Sequence, residues 1–379
     1  MIETAHRIGW DESHSMFRDA VRRFFARHPE PNMARFDAEG STDRSFWLAA
    51  GEAGLLCPQV PEVYGGLRLD FRFNAIVAEK LGYCGSPIAI NVHSDIVPDY
   101  LIHYGTDEQK QAYLPKMVSG ACVSAIVMTE PNGGSDLARL RTSARFDGTH
   151  YIVNGAKTFI SNGQNADLLA TAVRTVDAGA KGISLLFIDA DLKRVARGRN
   201  LDKIGQWSAD TSEIFFDDVR VPADRLLGAP GEGFTMMMRQ LPQERLSIAI
   251  GAQAAAQRAH DEAVRYTRER KAFGRPVLNF QNTRFTLAET ATKLQVGWAH
   301  LDWTLRKLVA GELSAAGASA AKLWHTETQW QIMDACLQLF GGHGYVNEYM
   351  IARLWRDARV LRIYGGTSEI TKEVIGRCL

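Results

Sequence analysis

The sequence is poor in cysteine, and the spacing of its thiols argues against two classes of small protein. The five cysteines lie far apart, at Cys57, Cys84, Cys122, Cys336 and Cys378. No C-x-x-C pair occurs, so the sequence predicts neither a zinc ribbon nor a disulfide framework. We expect reduced, buried thiols, as in a cytosolic protein.

Long apolar runs and blocks of like charge are also missing. No stretch approaches the roughly 18 consecutive apolar residues of a membrane-spanning helix. Residues 1–4 lack the basic-then-apolar pattern of a signal peptide. The formal net charge is +1, so nothing draws the chain to nucleic acid or to an anionic surface. These absences predict a soluble cytoplasmic protein with no nucleic-acid partner and no membrane span.

Three common catalytic patterns are absent as well. No G-x-G-x-x-G follows a strand and no Walker-type lysine loop exists, so the usual nucleotide motifs are lacking. The histidines form no H-x-x-H or H-E-x-x-H pattern, and no metal site is predicted. A G-x-S-x-G nucleophile elbow is missing too. Hydrolase and metalloenzyme functions are therefore disfavoured.

What is present is a change of pattern along the chain, which at 379 residues suggests two or three domains at roughly 150 residues each. Apolar residues first recur at helical spacing over 11–28, 43–53, 71–81, 88–103 and 106–118. Short β-branched and aromatic segments follow at 123–128, 142–146, 151–153, 168–174, 182–189 and 213–221. Beyond a loop at 228–233, the pattern is helical again over 247–270, 281–310 and 315–340.

These patterns predict three domains: a helical domain at 1–121, a central β domain at 122–228 and a helical domain at 229–379. No long helix interrupts the strands, so an antiparallel sheet or barrel is favoured over a βαβ sheet. Pro242 should kink or restart the helix that begins near Gly233, because proline removes a main-chain donor and clashes one turn back. Glu244 would then lie in the first turn after the break, where its side chain can enter a cavity.

Seven segments, in order along nearly the whole chain, together resemble one family, the acyl-CoA dehydrogenases. They are Val60–Gly66, Met128–Asp136, Tyr151–Gly163, Lys203–Pro222, Arg268–Gly274, Gln338–Tyr345 and Ile363–Ile370. The resemblance implies an α+β fold with an N-terminal helical domain, a central antiparallel β domain and a C-terminal four-helix bundle. It also implies non-covalent FAD, an acyl-CoA substrate, an electron transfer flavoprotein as acceptor, and a homotetramer built as a dimer of dimers.

The resemblance assigns the flavin ring to one set of positions. They are Met128, Thr129, Gly134, Ser135, Phe159 and Ser161. Gly133 and Gly134 would let the main chain pass close to a planar ring, which a side chain would block. Phe159 would lie against the isoalloxazine, although an ordinary sheet-core aromatic is the competing interpretation. For Glu130 and Pro131 a plain turn is the favoured interpretation.

A second set of positions matches the rest of FAD. They are Arg270, Phe273, Gln281, Gln338, Gly342, Thr367 and Glu369. In the family, the positions of Arg270 and Phe273 hold the diphosphate and adenosine of a neighbouring subunit's FAD. The planar fork of an arginine suits a diphosphate. A lone Gln or Thr on a helix is usually a capping or solvated residue, and that interpretation stays open for these positions.

The implied reaction is α,β-desaturation, which needs a base at the α-carbon and donors on the thioester oxygen. In most straight-chain members the base is the Glu of Y-E-G-T, but here the segment reads Tyr364-Gly365-Gly366-Thr367. Either the protein has lost its activity or the carboxylate comes from elsewhere. The segment Leu241–Leu246 (LPQERL) resembles long-chain and isovaleryl members, in which a Glu on this helix is the base. Glu244 is thus the predicted base and Glu369 a less favoured rival.

The substrate end of the site is predicted from the same segments. Gly365 keeps the amide that donates to the thioester oxygen in the family, and Tyr364, Ser135 and Arg245 complete the substrate set. Arg245 could instead be purely structural. Loss of the Glu side chain at Gly365 should free volume for long or branched acyl chains. The pKa of Glu244 stays open, because an apolar pocket would raise it and a helix start would lower it. Dehydrogenation of carrier-protein-bound acyl groups and a non-catalytic role remain alternatives.

Overall fold

The N-terminal part of the chain is helical. The structure, a computed structural model, describes Arg7 and residues 9–379. The helices are α1 (Glu12–Arg27), α2 (Pro29–Glu39), α3 (Arg44–Glu52), α4 (Phe71–Cys84), α5 (Val97–Tyr104) and α6 (Asp107–Val118). At α6 the predicted capping box is present, since Thr106 caps Gln109 and Gln109 reaches back to Thr106.

Two helical details differ from the prediction. Helix α2 was missed because its sequence opens with two prolines, yet Pro29 occupies the first turn, where no amide donor is required. The segment predicted as one helix over 88–103 is instead divided by a π turn, Val92–Ile96, which precedes α5. Pro98 is the physical reason, since it has no amide hydrogen for the carbonyl one turn back. That carbonyl, of Ser94, accepts from Gln59 Nε2 at 2.6 Å.

The middle of the chain forms a sheet. Its strands are β1 (Ser124–Val127), β2 (Ser143–Phe146), β3 (His150–Ser161), β4 (Leu168–Arg174), β5 (Ile183–Asp189), β6 (Val195–Asn200), β7 (Thr211–Pro222) and β8 (Leu226–Leu227). Their order is β6-β7-β3-β2-β4-β5-β8, and β1 pairs with β4. Strand β6 was missed because, as a charged edge strand, it carries the polar residues that protect sheet edges.

The predicted antiparallel pairing holds for most of the sheet but not for all of it. The β2–β3, β3–β7 and β4–β5 ladders are antiparallel, but β1 runs parallel to β4 with Ser124 opposite Leu168. The chain leaves β1, forms the β2–β3 hairpin and returns to β4 in the direction of β1. The sheet is therefore mixed. The loop that follows β1 lies at the exposed edge of the domain.

Both faces of β4 are buried, which joins the sheet to the N-terminal helices. Leu168 and Ala170 belong to a core shared with the N-terminal helices. Leu169 and Val173, on the other face, belong to a core formed by the strands. Because successive strand residues point to opposite faces, one strand contributes to two cores. The β domain is thus held against the N-terminal helices by apolar packing.

The C-terminal part is helical. It contains α7 (Gly233–Glu269), α8 (Gln281–Val309), α9 (Ala315–Leu339), α10 (Met350–Ala358) and α11 (Ser368–Gly376), with a hairpin of β9 (Lys271–Ala272) and β10 (Arg275–Pro276) after α7. Of the predicted kink or restart at Pro242, the restart is wrong, because α7 is continuous through the proline. Packing of its buried faces compensates for one lost main-chain hydrogen bond. No helix of Arg7 and residues 9–379 is long and apolar enough to cross a membrane.

The thiols follow their prediction with one exception. Cys57, Cys84, Cys122 and Cys336 are free and buried, whereas Cys378 is free and exposed. The exception lies at the end of the chain beyond α11, where packing against the helices has ceased.

Helices α4 and α7 cross at a pair of glycines. A Cβ atom on Gly82 would lie 2.3 Å from the carbonyl oxygen of Gly251, which is well inside van der Waals contact. A Cβ on Gly251 would meet only the carbonyl oxygen of Ala78, at 3.9 Å. The close approach of the two backbones therefore depends on Gly82 and not on Gly251.

This asymmetry predicts opposite effects of one methyl group. Gly82→Ala should lower the free energy of unfolding by about 2 kcal/mol through overpacking. Gly251→Ala should raise it by up to about 1 kcal/mol, because alanine is the better helix former. Thermal unfolding of the two variants beside the parent protein measures both. Equal unfolding temperatures for the two variants would contradict the crossing described here.

Candidate active site

Glu244 lies on the buried face of α7. Its side chain is 8% exposed, and its Oε1 accepts a hydrogen bond from the Tyr100 hydroxyl at 3.3 Å. Burial raises the pKa of Glu244 to about 7, while Tyr100 and Arg245 lower it and Asp99 raises it further. The helix-start effect expected at Pro242 does not arise, because Glu244 lies inside a continuous helix. The carboxyl is therefore poised near neutrality, as a general base requires.

Arg245 points to the loop between a short 3-10 helix, Arg359–Arg362, and α11. Its Nε donates to the Gly365 carbonyl oxygen at 3.2 Å and its Nη1 donates to Ser319 Oγ at 2.9 Å. Lys322, on α9, donates from Nζ to the Gly366 carbonyl oxygen at 2.6 Å. Burial, and then the Arg245 charge, lower the pKa of Lys322 to about 8. Two buried cations thus hold two successive carbonyl groups of one loop.

Gly365 and Gly366 both need the left-handed conformation, with φ of 65° and 93°. A Cβ on Gly365 would lie 2.4 Å from Ile248 Cδ1. The prediction that Gly365 leaves free volume is therefore wrong where the Cβ would stand, because the end of the Ile248 side chain occupies that space. Ile248 lies one turn after Glu244 on α7, so the helix that carries the carboxylate also fills the space of the absent side chain. Tyr364 is exposed beside this loop.

Phe159 interrupts the pairing of β3 with β7. The register shifts between Lys157 and Ile160, and Phe159 has φ of 57° with its ring 67% exposed. A bulky residue with positive φ is strained, and such strain is typical of functional sites. The interpretation of Phe159 as an ordinary sheet-core aromatic is wrong, since the ring points away from the core. Ser161 follows, half-buried, at the end of β3.

The loop after β1 lies beside this bulge. The Thr158 amide donates to the Thr129 carbonyl oxygen at 2.9 Å, and Lys157 Nζ donates to the Met128 carbonyl oxygen at 3.0 Å, so both residues lie against the segment that carries Phe159. Gly134 and Ser135 are exposed on the same loop. A Cβ on Gly134 would make only an ordinary contact with the Thr129 side chain, at 3.6 Å. The loop itself therefore does not demand glycine there, and a bound planar ligand gives a reason for it.

Glu130 forms the predicted turn and does more. Its amide and carbonyl pair with those of Gly133 at 3.0 Å. Its buried carboxylate pairs with Lys157 Nζ at 3.0 Å and accepts from the amides of Arg141 and Thr142. Burial lowers the pKa of Lys157 to about 8 against the opposing effect of Glu130. Sequence reasoning missed Lys157; its only signal is a charged residue inside an otherwise buried strand.

The remaining predicted residues lie at the surface. Phe273 and Gly274 form the two-residue turn of the β9–β10 hairpin, both with positive φ (53° and 80°), as in a type I′ turn. The Phe273 side chain is 95% exposed. The other exposed members of the set are Arg270, Gln281, Gln338 and Gly342. They present an open surface that a second molecule can contact.

Helix α11 begins at the last two predicted positions. Thr367 caps the helix by accepting from the Ile370 amide at 3.3 Å, so its hydroxyl has a structural role. Glu369 is exposed in the first turn, and hydrogen bonds from its own amide and from Thr367 lower its pKa. Glu244, in contrast, is buried and has a raised pKa. Of the two carboxylates, Glu244 has the character of a general base at neutral pH.

Comparison with known proteins places this arrangement in a family. Models described as the N-terminal, middle and C-terminal domains of acyl-CoA dehydrogenase match residues 11–121, 125–219 and 231–379. The chain belongs to the acyl-CoA dehydrogenase family. It is an oxidoreductase with the acyl-CoA dehydrogenase fold, made of N-terminal helices, a middle β domain and C-terminal helices.

Individual acyl-CoA dehydrogenases match over almost their whole length. The mitochondrial long-chain specific acyl-CoA dehydrogenase of Sus scrofa is 43% identical over 97% of this chain and 86% of its own. Mitochondrial isovaleryl-CoA dehydrogenase of Oryza sativa subsp. japonica is 33% identical over 100% of this chain and 93% of its own. The acyl-CoA dehydrogenase of Geobacillus kaustophilus superimposes with a TM-score of 0.97 at 44% identity, covering 98% of this chain and 99% of that one.

Acyl-CoA dehydrogenases bind FAD and use it to oxidise acyl-CoA. The residues present here fit that cofactor. The exposed, strained Phe159 ring offers a flat apolar surface, and the neighbouring loop has open surroundings at Gly133 and Gly134. A large exposed apolar side chain commonly marks a surface that binds a ligand or another molecule. Backbone strain at such a residue is typical of functional sites. An isoalloxazine ring is a ligand of the required shape.

The Glu130–Lys157 pair predicts a non-additive effect on stability. Glu130→Gln leaves a buried ammonium and should lower the free energy of unfolding by about 3 kcal/mol. Lys157→Met should cost less, because Glu130 keeps two amide donors. The double variant removes both charges and should recover about 1 kcal/mol or more relative to the sum of the single losses. Urea unfolding of all three measures this, and strictly additive losses would show that the two charges are not coupled.

Proposed function

We propose that the protein desaturates long- or branched-chain acyl-CoA thioesters between Cα and Cβ, with Glu244 as the base. The observation that carries the proposal is the buried Glu244 carboxyl, with a pKa of about 7, in a chain whose Y-E-G-T motif reads Y-G-G-T. Glu244 takes the α-proton of the thioester. FAD, when bound, accepts the β-hydrogen as hydride. The alternative of a lost activity is disfavoured, because the LPQERL segment supplies a buried carboxyl of raised pKa in a chain whose Y-G-G-T segment supplies none.

The thioester oxygen needs a donor while negative charge develops on it. We assign this role to the amide of Gly365, as in the rest of the family, with Tyr364 and Ser135 on the substrate side. Arg245 and Lys322 support the assignment, because they fix the carbonyl groups of Gly365 and Gly366. Their charges also favour the developing anion. Arg245 thus acts on the loop at the thioester and not only on its own helix.

The cofactor contacts follow the two sets of residues described above. Met128, Thr129, Gly134, Ser135, Phe159 and Ser161 would hold the flavin ring, and Gln281, Gln338, Gly342, Thr367 and Glu369 the rest of the molecule. We propose that Arg270 and Phe273 reach the FAD of a second copy. A hairpin tip with a 95% exposed phenylalanine supports this, since such a side chain is normally covered in an assembly. In a homotetramer built as a dimer of dimers, every β9–β10 hairpin would be covered by another copy of the chain.

The acyl chain is proposed from two observations. The long-chain specific relative is more similar than the isovaleryl relative, at 43% against 33% identity. Gly365 has no carboxylate, and the apolar end of Ile248 lies where a Cβ at this position would stand, so this end of the site can pack against hydrocarbon. Electrons would then leave to an electron transfer flavoprotein, as the family resemblance implies.

Glu244→Gln tests the base directly. A neutral amide cannot accept the α-proton, so the rate of flavin reduction by a long-chain acyl-CoA should fall by about 10³-fold. Anaerobic stopped-flow absorbance of the FAD-loaded protein measures the rate. Glu12→Gln, an exposed carboxylate in the first turn of α1, is the matched control and should change the rate less than twofold. If Glu369→Gln is inactive and Glu244→Gln is active, the base is Glu369.

Phe159→Gly tests the flavin surface. Because the ring is exposed and its backbone strained, removing it should leave the stability of the FAD-free protein within about 1 kcal/mol. Loss of the aromatic contact should raise the Kd for FAD about tenfold. Fluorescence titration with FAD and unfolding of the FAD-free protein measure the two effects. Phe146→Ala, another exposed aromatic of the sheet, should leave FAD affinity unchanged. A stability loss without weaker FAD binding would mean that Phe159 only serves the sheet.

A further inference from the structure

Tyr100 is a buried side chain beside the proposed base. It is fully buried on α5, and its hydroxyl donates to Glu244 Oε1 at 3.3 Å. Burial, and then the neighbouring Glu244 carboxyl, raise the pKa of Tyr100 well above its ordinary value. The phenol therefore keeps its proton at any physiological pH. Toward the ionised Glu244 carboxylate it acts as a hydrogen-bond donor.

The backbone that carries Tyr100 is fixed by an unusual turn. The π turn Val92–Ile96 precedes α5, and single π turns in helices are frequent at functional sites. Pro98 leaves the Ser94 carbonyl without its helical donor, and Gln59 Nε2 takes that place at 2.6 Å. The same amide donates to Asp99 Oδ1 at 2.9 Å. The start of α5 is thus held from outside the helix.

The same turn is bonded to α7 on both sides of Glu244. Gln243 Nε2 donates to the Asp95 carbonyl oxygen at 2.7 Å, and it also bonds the Asp99 carboxylate. Ser247 Oγ donates to Asp95 Oδ2 at 2.7 Å. These contacts lie one residue before and three residues after Glu244. They fix α5 relative to α7, so the phenol of Tyr100 cannot drift away from the carboxyl.

We propose that Tyr100 is a positioning residue for proton abstraction: its hydroxyl holds Glu244 Oε1, leaves Oε2 to take the proton, and sets the pH above which the base is active. The proposal rests on Glu244 as the base. One oxygen held by a rigid donor removes the rotational freedom of the carboxyl, which a base must otherwise lose at each turnover.

Other charges act on Glu244 but are bonded elsewhere. Asp99, from α5, raises its pKa, and its carboxylate accepts from Gln59 and Gln243. Arg245 lowers its pKa, yet the guanidinium bonds Gly365 and Ser319. The charged groups of the neighbouring helices have other partners: Lys322 on α9 bonds Gly366, Glu79 on α4 bonds Arg7 and Arg18, and Lys80 on α4 bonds Glu30. Among Arg7 and residues 9–379, the side-chain hydrogen bond to the Glu244 carboxyl comes from Tyr100.

Tyr100→Phe removes this hydrogen bond with little change of shape. The bond stabilises the ionised carboxylate, so its loss raises the pKa of Glu244 from about 7. The midpoint of the pH profile of flavin reduction, measured anaerobically with one long-chain acyl-CoA, should move upward by about half to one pH unit. The plateau at high pH should fall about tenfold in kcat, with KM changed less than twofold, because positioning is lost and substrate binding is not.

Two further variants make the result specific. Tyr104→Phe, one turn further along α5, changes a half-buried phenol outside the Glu244 hydrogen bond and should retain the parent profile. Replacing Tyr100 by 3,5-difluorotyrosine keeps the shape and strengthens the donor, so the midpoint should move downward. This second variant decides the question even if Tyr100→Phe fails to fold. If the protein with 3,5-difluorotyrosine has the same midpoint of the pH profile as the parent protein, the proposal is overturned.

Glu244→Gln separates the two hypotheses. If Glu244→Gln reduces flavin at the parent rate, Glu244 is not the base, and both the proposed function and the role of Tyr100 fail. If Glu244→Gln is inactive and the Tyr100 variants keep the parent midpoint, only the role of Tyr100 fails. Opposite shifts for the phenylalanine and fluorotyrosine variants support it, because a merely structural side chain would not move the pH profile in two directions.

Discussion

The arrangement of the site depends on one buried carboxyl. An ionised side chain in an apolar interior is costly unless donors satisfy it, and a group near its own pKa exchanges its proton readily. Glu244 meets both conditions, since Tyr100 donates to it and burial holds its pKa at about 7. The π turn, the proline of α5 and the polar contacts between α5 and α7 all keep the donor in place. A rigid frame is thus built around the group that changes its charge in the proposed reaction.

A second frame surrounds the loop at Gly365. Arg245 and Lys322 are both buried, and the hydrogen bonds described for them go to carbonyl oxygens and a hydroxyl. Their positive charge is therefore not cancelled by a bonded carboxylate. In the proposed reaction a negative charge grows on the thioester oxygen beside the same loop, and a preorganised field of opposite sign lowers its energy. The proposed base and Arg245 both lie on α7, and Lys322 lies on α9, which packs against it.

Much of the molecule could be predicted from sequence, and the exceptions share a cause. Apolar periodicity gave most helices and strands, and the motif segments gave the family, Glu244 and Phe159. The roles of these two residues stay predictions. Tyr100, Lys157 and Lys322 could not be found, because each is an unremarkable residue until folding brings a distant partner to it. The parallel pairing of β1 with β4 was missed for the same reason: neighbours in a sheet are set by the path of the chain, which local patterns do not contain.

The contact between Gly365 and Ile248 constrains how such a site can change over generations. A glutamate returned to position 365 needs a residue that tolerates φ of 65° and an empty place where Ile248 Cδ1 now lies, 2.4 Å from its Cβ. A smaller residue at 248 alone opens a cavity beside the base. A side chain at 365 therefore requires that the flexible end of Ile248 move aside or that a smaller residue stand at 248. The residues at 248 and 365 are therefore coupled: the size of the side chain at one position limits what the other can hold.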